Sequence, residues 1–206
     1  MDLTIHTLET APQGSKAMVE KSLARYKFLP NLHGVMAGSP VMYEAYQSIG
    51  AIYGKATLSV LERQIVLQSI NYENECHYCL AAHSMIATIE KMPEETLAAL
   101  RAGVVLADPK LQTLRAFAAL MTRQRGWVDD ADVEAFYAVG YTEENLLEII
   151  VAIAYKVMSN YINHVGETEL DSEFEKYAWK SAGEARSSAA RTLPRTAPVA
   201  AGRDHP

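Results

Sequence analysis

Prolines set the limit on how long the regular segments of this chain can be. Of its eight prolines only Pro93 and Pro109 fall between Tyr43 and Thr192, and the glycines of that region stand singly. Proline in a helix interior removes a hydrogen bond and clashes with the preceding turn, so its scarcity leaves long stretches free to be helical. Helical spacing, caps and breakers predict helices over residues 15–26, 40–53, 59–72, 75–91, 93–101, 109–124 and 130–139. Pro40 sits in the first turn of its segment, and Ser59 with Glu62 three residues on is a capping-box pair. The longest segment starts at Thr142 with Glu143 and Glu144 in the favourable first turn. Its Leu146, Ile149, Ile150, Ile153, Val157 and Met158 recur at helical spacing, while Leu147 and Val151 add apolar surface elsewhere, as in a helix buried on most faces. No segment alternates with period two between hairpin turns. The expected fold class is all-α.

Composition narrows the function. Nineteen basic against 25 acidic residues give a net charge of −6, which argues against a nucleic-acid partner. With 49 % apolar and 21 % charged residues the chain can bury a core. No stretch approaches the roughly 18 uninterrupted apolar residues of a membrane span, and residues 1–13 lack the features of a secretory leader. A cytoplasmic protein without a membrane partner is expected. From about Ser181 the sequence turns to Ala, Ser, Arg and Pro, so residues 1–180 are read as one domain and 181–206 as a disordered tail.

The two cysteines, Cys76 and Cys79, are separated by two residues. In a reducing compartment such a pair points to redox chemistry or metal binding, because a bridge closing so small a loop restrains the unfolded chain very little. If the helix runs from about Glu75, Cys76, Cys79 and His83 stand at i, i+3 and i+7 on one face. A thiol reacts as thiolate, and a helix N-terminus or a nearby base favours that form. Paired thiols allow a sulfenic acid on one to be captured by the other before further oxidation. Zinc held by Cys76, Cys79 and His83, with His77 or His164, has the right ligand types, but three ligands within two helical turns make a poor tetrahedron and no second ligand cluster completes it. No metal is expected.

The stretch from Leu58 to Val66 (LSVLERQIV), followed by ENECHYCLAAHS from Glu73 to Ser84, resembles the carboxymuconolactone decarboxylase and alkylhydroperoxidase D superfamily, in its C-x-x-C-bearing, peroxidase-related branch. NYINHV from Asn160, followed by Leu170 and Asp171, resembles that branch's C-terminal signature. The resemblance runs from about Pro40 to Asp171. It implies an all-helical fold assembling as dimers, trimers or hexamers, and a thiol-dependent peroxidase or disulfide reductase activity. By position it implies that Cys79 attacks peroxide, Cys76 resolves, and His83 is the base that activates Cys79. The helix-dipole argument alone favours Cys76 as nucleophile.

One departure matters. Twelve residues before the first cysteine these peroxidases carry a glutamate that relays a proton, and here that residue is Gln64, which hydrogen-bonds but does not titrate. Gln64, Gln68 and Asn71 form a polar stripe at i, i+4, i+7, either lining the site or facing solvent. Glu62 and Glu73 are candidate replacement acids, and Tyr78 a candidate proton donor. The expected function is reduction of a small hydroperoxide by Cys76 and Cys79, with electrons returned by an external dithiol or redox protein and no bound cofactor. The alternatives are a carboxymuconolactone-type decarboxylase and a non-enzymatic redox sensor using the same dithiol.

Overall fold

Nine α-helices and two short 3₁₀ segments account for the regular structure of residues 3–179, which the computed structural model describes. The expected disordered tail lies outside the described residues. The helices are α1 (Lys16–Tyr26), α2 (Asn31–Met36), α3 (Pro40–Tyr53), α4 (Val60–Glu73), α5 (His77–Ile89), α6 (Glu94–Ala102), α7 (Pro109–Arg123), α8 (Asp130–Ala138) and α9 (Glu143–Gly166). Both sequence-read caps form. The Ser59 and Glu62 side chains close a reciprocal box at the start of α4, and Thr142 does so with Asn145 at the start of α9.

Helix α4 is the hub, with α5, α6, α7 and α9 packed around it. One apolar core lies between α4, α6, α7, α8 and the first half of α9, where Ile65, Ile70, Leu100, Leu114, Phe136 and Ile149 are fully buried. A second gathers Val19, Met36, Tyr43, Cys76, Cys79 and Phe174 from α1 to α3, the start of α5 and the C-terminal 3₁₀ segment Ser172–Tyr177. Tyr155 of α9 packs against both cores. The glycine at position 50 lets α3 come this close to it, since a Cβ there would stand 3.1 Å from the Tyr155 ring.

Helix α5 begins two residues later than the sequence predicts, and α4 is the reason. Its last turn closes with Glu75 N–H on the Tyr72 carbonyl and Cys76 N–H on the Asn71 carbonyl, both at 3.0 Å. That is a Schellman cap, with Glu75 at φ 51° in the left-handed position usually given to glycine. Cys76 is therefore the N-cap of α5, with φ −84° and ψ 97°, rather than a residue of its first turn.

Helix α6 ends with Gly103 at φ 70°, where an added Cβ would fall 2.1 Å from the Tyr72 hydroxyl. Gly103→Ala combines a left-handed backbone with overpacking, so it should destabilise the fold by about 2–4 kcal/mol. Denaturant midpoints measure this, and a change below about 0.5 kcal/mol would contradict the packing described.

Candidate active site

The site lies where α4, α5 and α9 meet, and each helix contributes a polar stripe to an otherwise apolar junction. Cys76 at the N-cap and Cys79 at the third residue of α5 occupy the two positions whose side chains meet in a capping box. Both thiols are free and buried, and the Cys76 side chain hydrogen-bonds to that of Cys79. The N-cap backbone, not a continuous helix, brings the sulfurs together.

Helix α9 supplies the surroundings. Lys156, Ser159, Asn160 and Asn163, at i, i+3, i+4 and i+7, are all buried on its inward face. The Asn163 amide donates to Cys79 Sγ at 3.3 Å and reaches Cys76 Sγ at 3.7 Å. Lys156 is fully buried and donates from Nζ to His83 Nε2 at 3.0 Å. An ammonium has only donors, so His83 Nε2 must accept and its proton sits on Nδ1, which donates to Gln64 Oε1 at 3.2 Å. Burial, and then the Lys156 charge, hold His83 far below the usual histidine range, so it is neutral. The deeper polar residues of α4 are satisfied behind Cys79. Gln68 donates to Ser84 Oγ at 3.1 Å, Asn160 donates to Asn71 Oδ1 at 3.0 Å, and Asn74 donates to Asn160 Oδ1 at 2.8 Å. The α4 polar stripe is thus an inward face, and Gln64 is its member at the site.

The two sulfurs are not equivalent. Burial alone would push the Cys79 thiol up. The hydrogen bond from Cys76, the Lys156 ammonium, Ser159 and Asn160 more than reverse this, leaving Cys79 well below the ordinary thiol range. Cys76 moves the other way, because donating to the Cys79 sulfur and burial both disfavour its thiolate. Cys79 also faces a cavity of about 190 Å³, whereas Cys76 is not among the lining residues. His83, Lys156, Gln64 and Tyr78 line the same cavity.

The remaining candidates fall elsewhere. Glu62 is held by Ser59 at the start of α4 and accepts from the Tyr141 hydroxyl at 3.0 Å. Glu73 accepts from Arg123 at 3.3 Å on the outer side of α4. Neither borders the cavity. The Tyr78 ring forms part of the wall, but its hydroxyl donates to Asp171 and accepts from Leu32 N–H at 3.2 Å. It anchors the C-terminal segment instead of supplying a proton. His77 packs on Trp179, and His164 is exposed in the last turn of α9. Helix α9 itself has the length and apolarity of a membrane span, with a mean hydropathy of 1.2 over 18 residues. Its Lys156, Asn160 and Asn163, however, are turned into the polar junction with α4 and α5.

Sequence reasoning overlooks Lys156 and the inward side of α9. The signal is present as four polar residues at helical spacing, but the apolar residues between them read as the helix's defining pattern.

No protein-family model and no curated protein matches the chain. Solved structures do. The alkylhydroperoxidase AhpD core of an uncharacterized peroxidase-related protein from Ralstonia eutropha JMP134 superposes with a TM-score of 0.74 at 23 % identity, over 83 % of this chain and 92 % of that one. A peroxidase-related protein of uncharacterized function from Silicibacter sp. TM1040 gives 0.71 at 22 % identity, over 84 % and 92 %. A variant of the debrominase Bmp8 in complex with 2,3,4-tribromopyrrole gives 0.69 at 18 % identity, over 82 % and 91 %. The chain has the all-helical fold of the AhpD core.

Proposed function

We propose that this protein is a thiol-dependent peroxidase in which Cys79 attacks a hydroperoxide and Cys76 resolves the product. The observation that carries the reading is the asymmetry of the pair. Cys79 faces the cavity with its thiolate stabilised, and Cys76 stands behind it as the neutral donor. The Cys79 thiolate takes the distal oxygen, forming S–O as O–O breaks, and the alkoxide leaves. Lys156 lines the cavity and supplies the proton that makes the alcohol. Once Cys79 is a neutral sulfenic acid the buried ammonium has lost its counter-charge, which makes that transfer favourable. Cys76 then displaces water from the sulfenic acid to give the disulfide, and an external dithiol or redox protein reduces it, returning a proton to each of Cys76 and Lys156. No bound cofactor takes part.

In this reading His83 acts through Lys156, whose ammonium it orients, instead of taking the Cys79 proton itself. Gln64 fits the same arrangement. Its carbonyl holds the His83 N–H as a glutamate would, without a negative charge that would offset Lys156 at Cys79. A peroxide-consumption assay with excess dithiol tests the proposal: sustained turnover is expected, a single oxidation without turnover would mean a redox sensor, and inertness to peroxide would reject both. Including 2,3,4-tribromopyrrole separates oxygen transfer from halogen removal by the same thiolate.

The protein is also proposed to be a homo-oligomer. Leu147, Ile150, Ala154, Tyr161 and Val165 form an exposed seam along α9 at i, i+3, i+7, i+14 and i+18, the spacing of a helix-pairing face. Light scattering should show more than one subunit at micromolar concentration, and Ile150→Glu should shift it to the monomer. A monomeric parent protein would defeat this.

A further inference from the structure

The cavity in front of Cys79 is far larger than hydrogen peroxide needs. At about 190 Å³ it exceeds the apolar cavity of about 150 Å³ that accepts benzene. Much of its wall is aromatic: Tyr26, Tyr46, Tyr53, Tyr155 and Phe174 border it, and the Tyr46 and Tyr155 rings are stacked at 4.6 Å. Burial pushes both of these phenols up, so they stay neutral and present ring surface and hydroxyls, not charge. Such walls suit a flat, apolar frame.

The charges on the wall are unequal in kind. Lys156 is matched by the Cys79 thiolate. Arg63 is committed to the backbone, donating to the carbonyls of Ala56 at 3.3 Å and Leu58 at 2.5 Å. Glu90, the one carboxylate on the wall, is exposed in the last turn of α5, as its C-cap. Arg25 is the remaining cation. It is exposed at the end of α1, its guanidinium lies 5.4 Å from the Tyr26 ring centroid, and among the described residues it has no carboxylate partner. Its field nevertheless reaches inward. His33, on the wall with Nδ1 tied to Ser22 and Tyr43, is held at about 4 by burial and then by Arg25 and Lys156. Histidine at that position is neutral, and Arg63, though charged, spends its Nη1 on backbone carbonyls, leaving Arg25 as the wall cation whose guanidinium donates to no hydrogen bond among the described residues.

We propose that the cavity receives an organic hydroperoxide built on an aromatic or similarly planar frame that carries one carboxylate, with the anion at Arg25 and the hydroperoxyl group at Cys79. This rests on the peroxidase reading and narrows its substrate class. The guanidinium offers a forked donor set suited to a carboxylate, on a chain whose overall charge of −6 would otherwise repel one.

Two measurements on the reduced full-length protein test it. Calorimetric titration compares 4-isopropylbenzoate with the neutral 4-isopropylbenzyl alcohol, neither of which reacts with a thiol. The anion should bind at least about tenfold more tightly, and Arg25→Gln should remove that preference. Steady-state kinetics compare cumene hydroperoxide with its para-carboxylate. The kcat/KM ratio of anionic to neutral substrate should exceed about 10 and fall about tenfold in Arg25→Gln, with hydrogen peroxide slower than either. Equal binding of acid and alcohol, or a preference retained in Arg25→Gln, overturns the anionic subsite even if peroxides are consumed. Selective binding of the benzoate with no hydroperoxide consumed overturns the peroxidase reading instead, and the two failures are therefore distinguishable.

Discussion

Cys79→Ser should abolish sustained peroxide consumption, a loss of about 10³-fold or more, whereas Cys76→Ser should retain the first oxidation and stop there. The difference follows from position: Cys79 borders the cavity and has its thiolate stabilised, while Cys76 is behind it and is held as the thiol. Removing the nucleophile leaves only Cys76, which does not border the cavity, to accept the oxygen, and a serine hydroxyl has no comparable reactivity at neutral pH. Removing the resolving thiol leaves the sulfenic acid without a neighbour, so it persists or forms a mixed disulfide with the added reductant. Stopped-flow oxidation followed by trapping with a dimedone-type reagent and peptide mapping locates it. A sulfenic acid trapped on Cys76 would reverse the roles. Equal residual turnover in both variants would show that the pair does not act as nucleophile and resolver.

The helical class is legible because its determinants are local. Pro40, Ser59, Pro109 and Thr142 mark starts that the structure keeps, and a proline-poor middle leaves little else for those segments to become. Helix α2 is not legible, since six residues between Pro30 and Pro40 are too few to express a period. The displaced start of α5 is hidden for a different reason. Glutamate is not a usual left-handed residue, and only the closure of α4 on Cys76 puts Glu75 there. At the site, Cys76, Cys79 and His83 stand out because their spacing is short-range. Lys156 lies 73 residues from His83 in sequence, and nothing local says that an amphipathic lysine at the centre of an apolar helix will be fully buried. Glu62 and Glu73 mislead for the converse reason: they are near Gln64 and Cys76 in sequence, yet the α4 turn points them at Ser59, Tyr141 and Arg123.

The mechanism makes its sharpest demand on that lysine. Lys156→Met should slow Cys79 oxidation by about 10²-fold at pH 7 and restore much of the rate by pH 9. The methionine keeps most of the volume and removes the charge that, after the Cys76 hydrogen bond, does most to offset burial of the thiolate, so the Cys79 thiol rises toward the ordinary thiol range. At pH 7 an ordinary thiol is only a few per cent ionised, so a full return to that range would account for a factor of about 30, the upper bound of this contribution. Loss of the proton donor to the alkoxide supplies the remainder. The sign is fixed by the charge: in the parent protein the depressed Cys79 value makes the rate flat across neutral pH and lost only in acid, while in the variant it should rise with pH through the range where ordinary thiols titrate. Stability should fall by about 1–3 kcal/mol, because His83 Nε2 loses its buried donor, a loss kept to that size because the Cys79 thiol can take up a proton instead of staying a bare buried charge. His83→Ala should shift the profile in the same direction but by less, and combining it with Lys156→Met should add nothing, since in this arrangement the imidazole acts only by orienting the ammonium. Iodoacetamide alkylation of Cys79 against pH in the four proteins reads the titration without any peroxide. An unmoved profile in Lys156→Met would remove the lysine from the mechanism, and additive losses in the double variant would return His83 to direct action on the thiol.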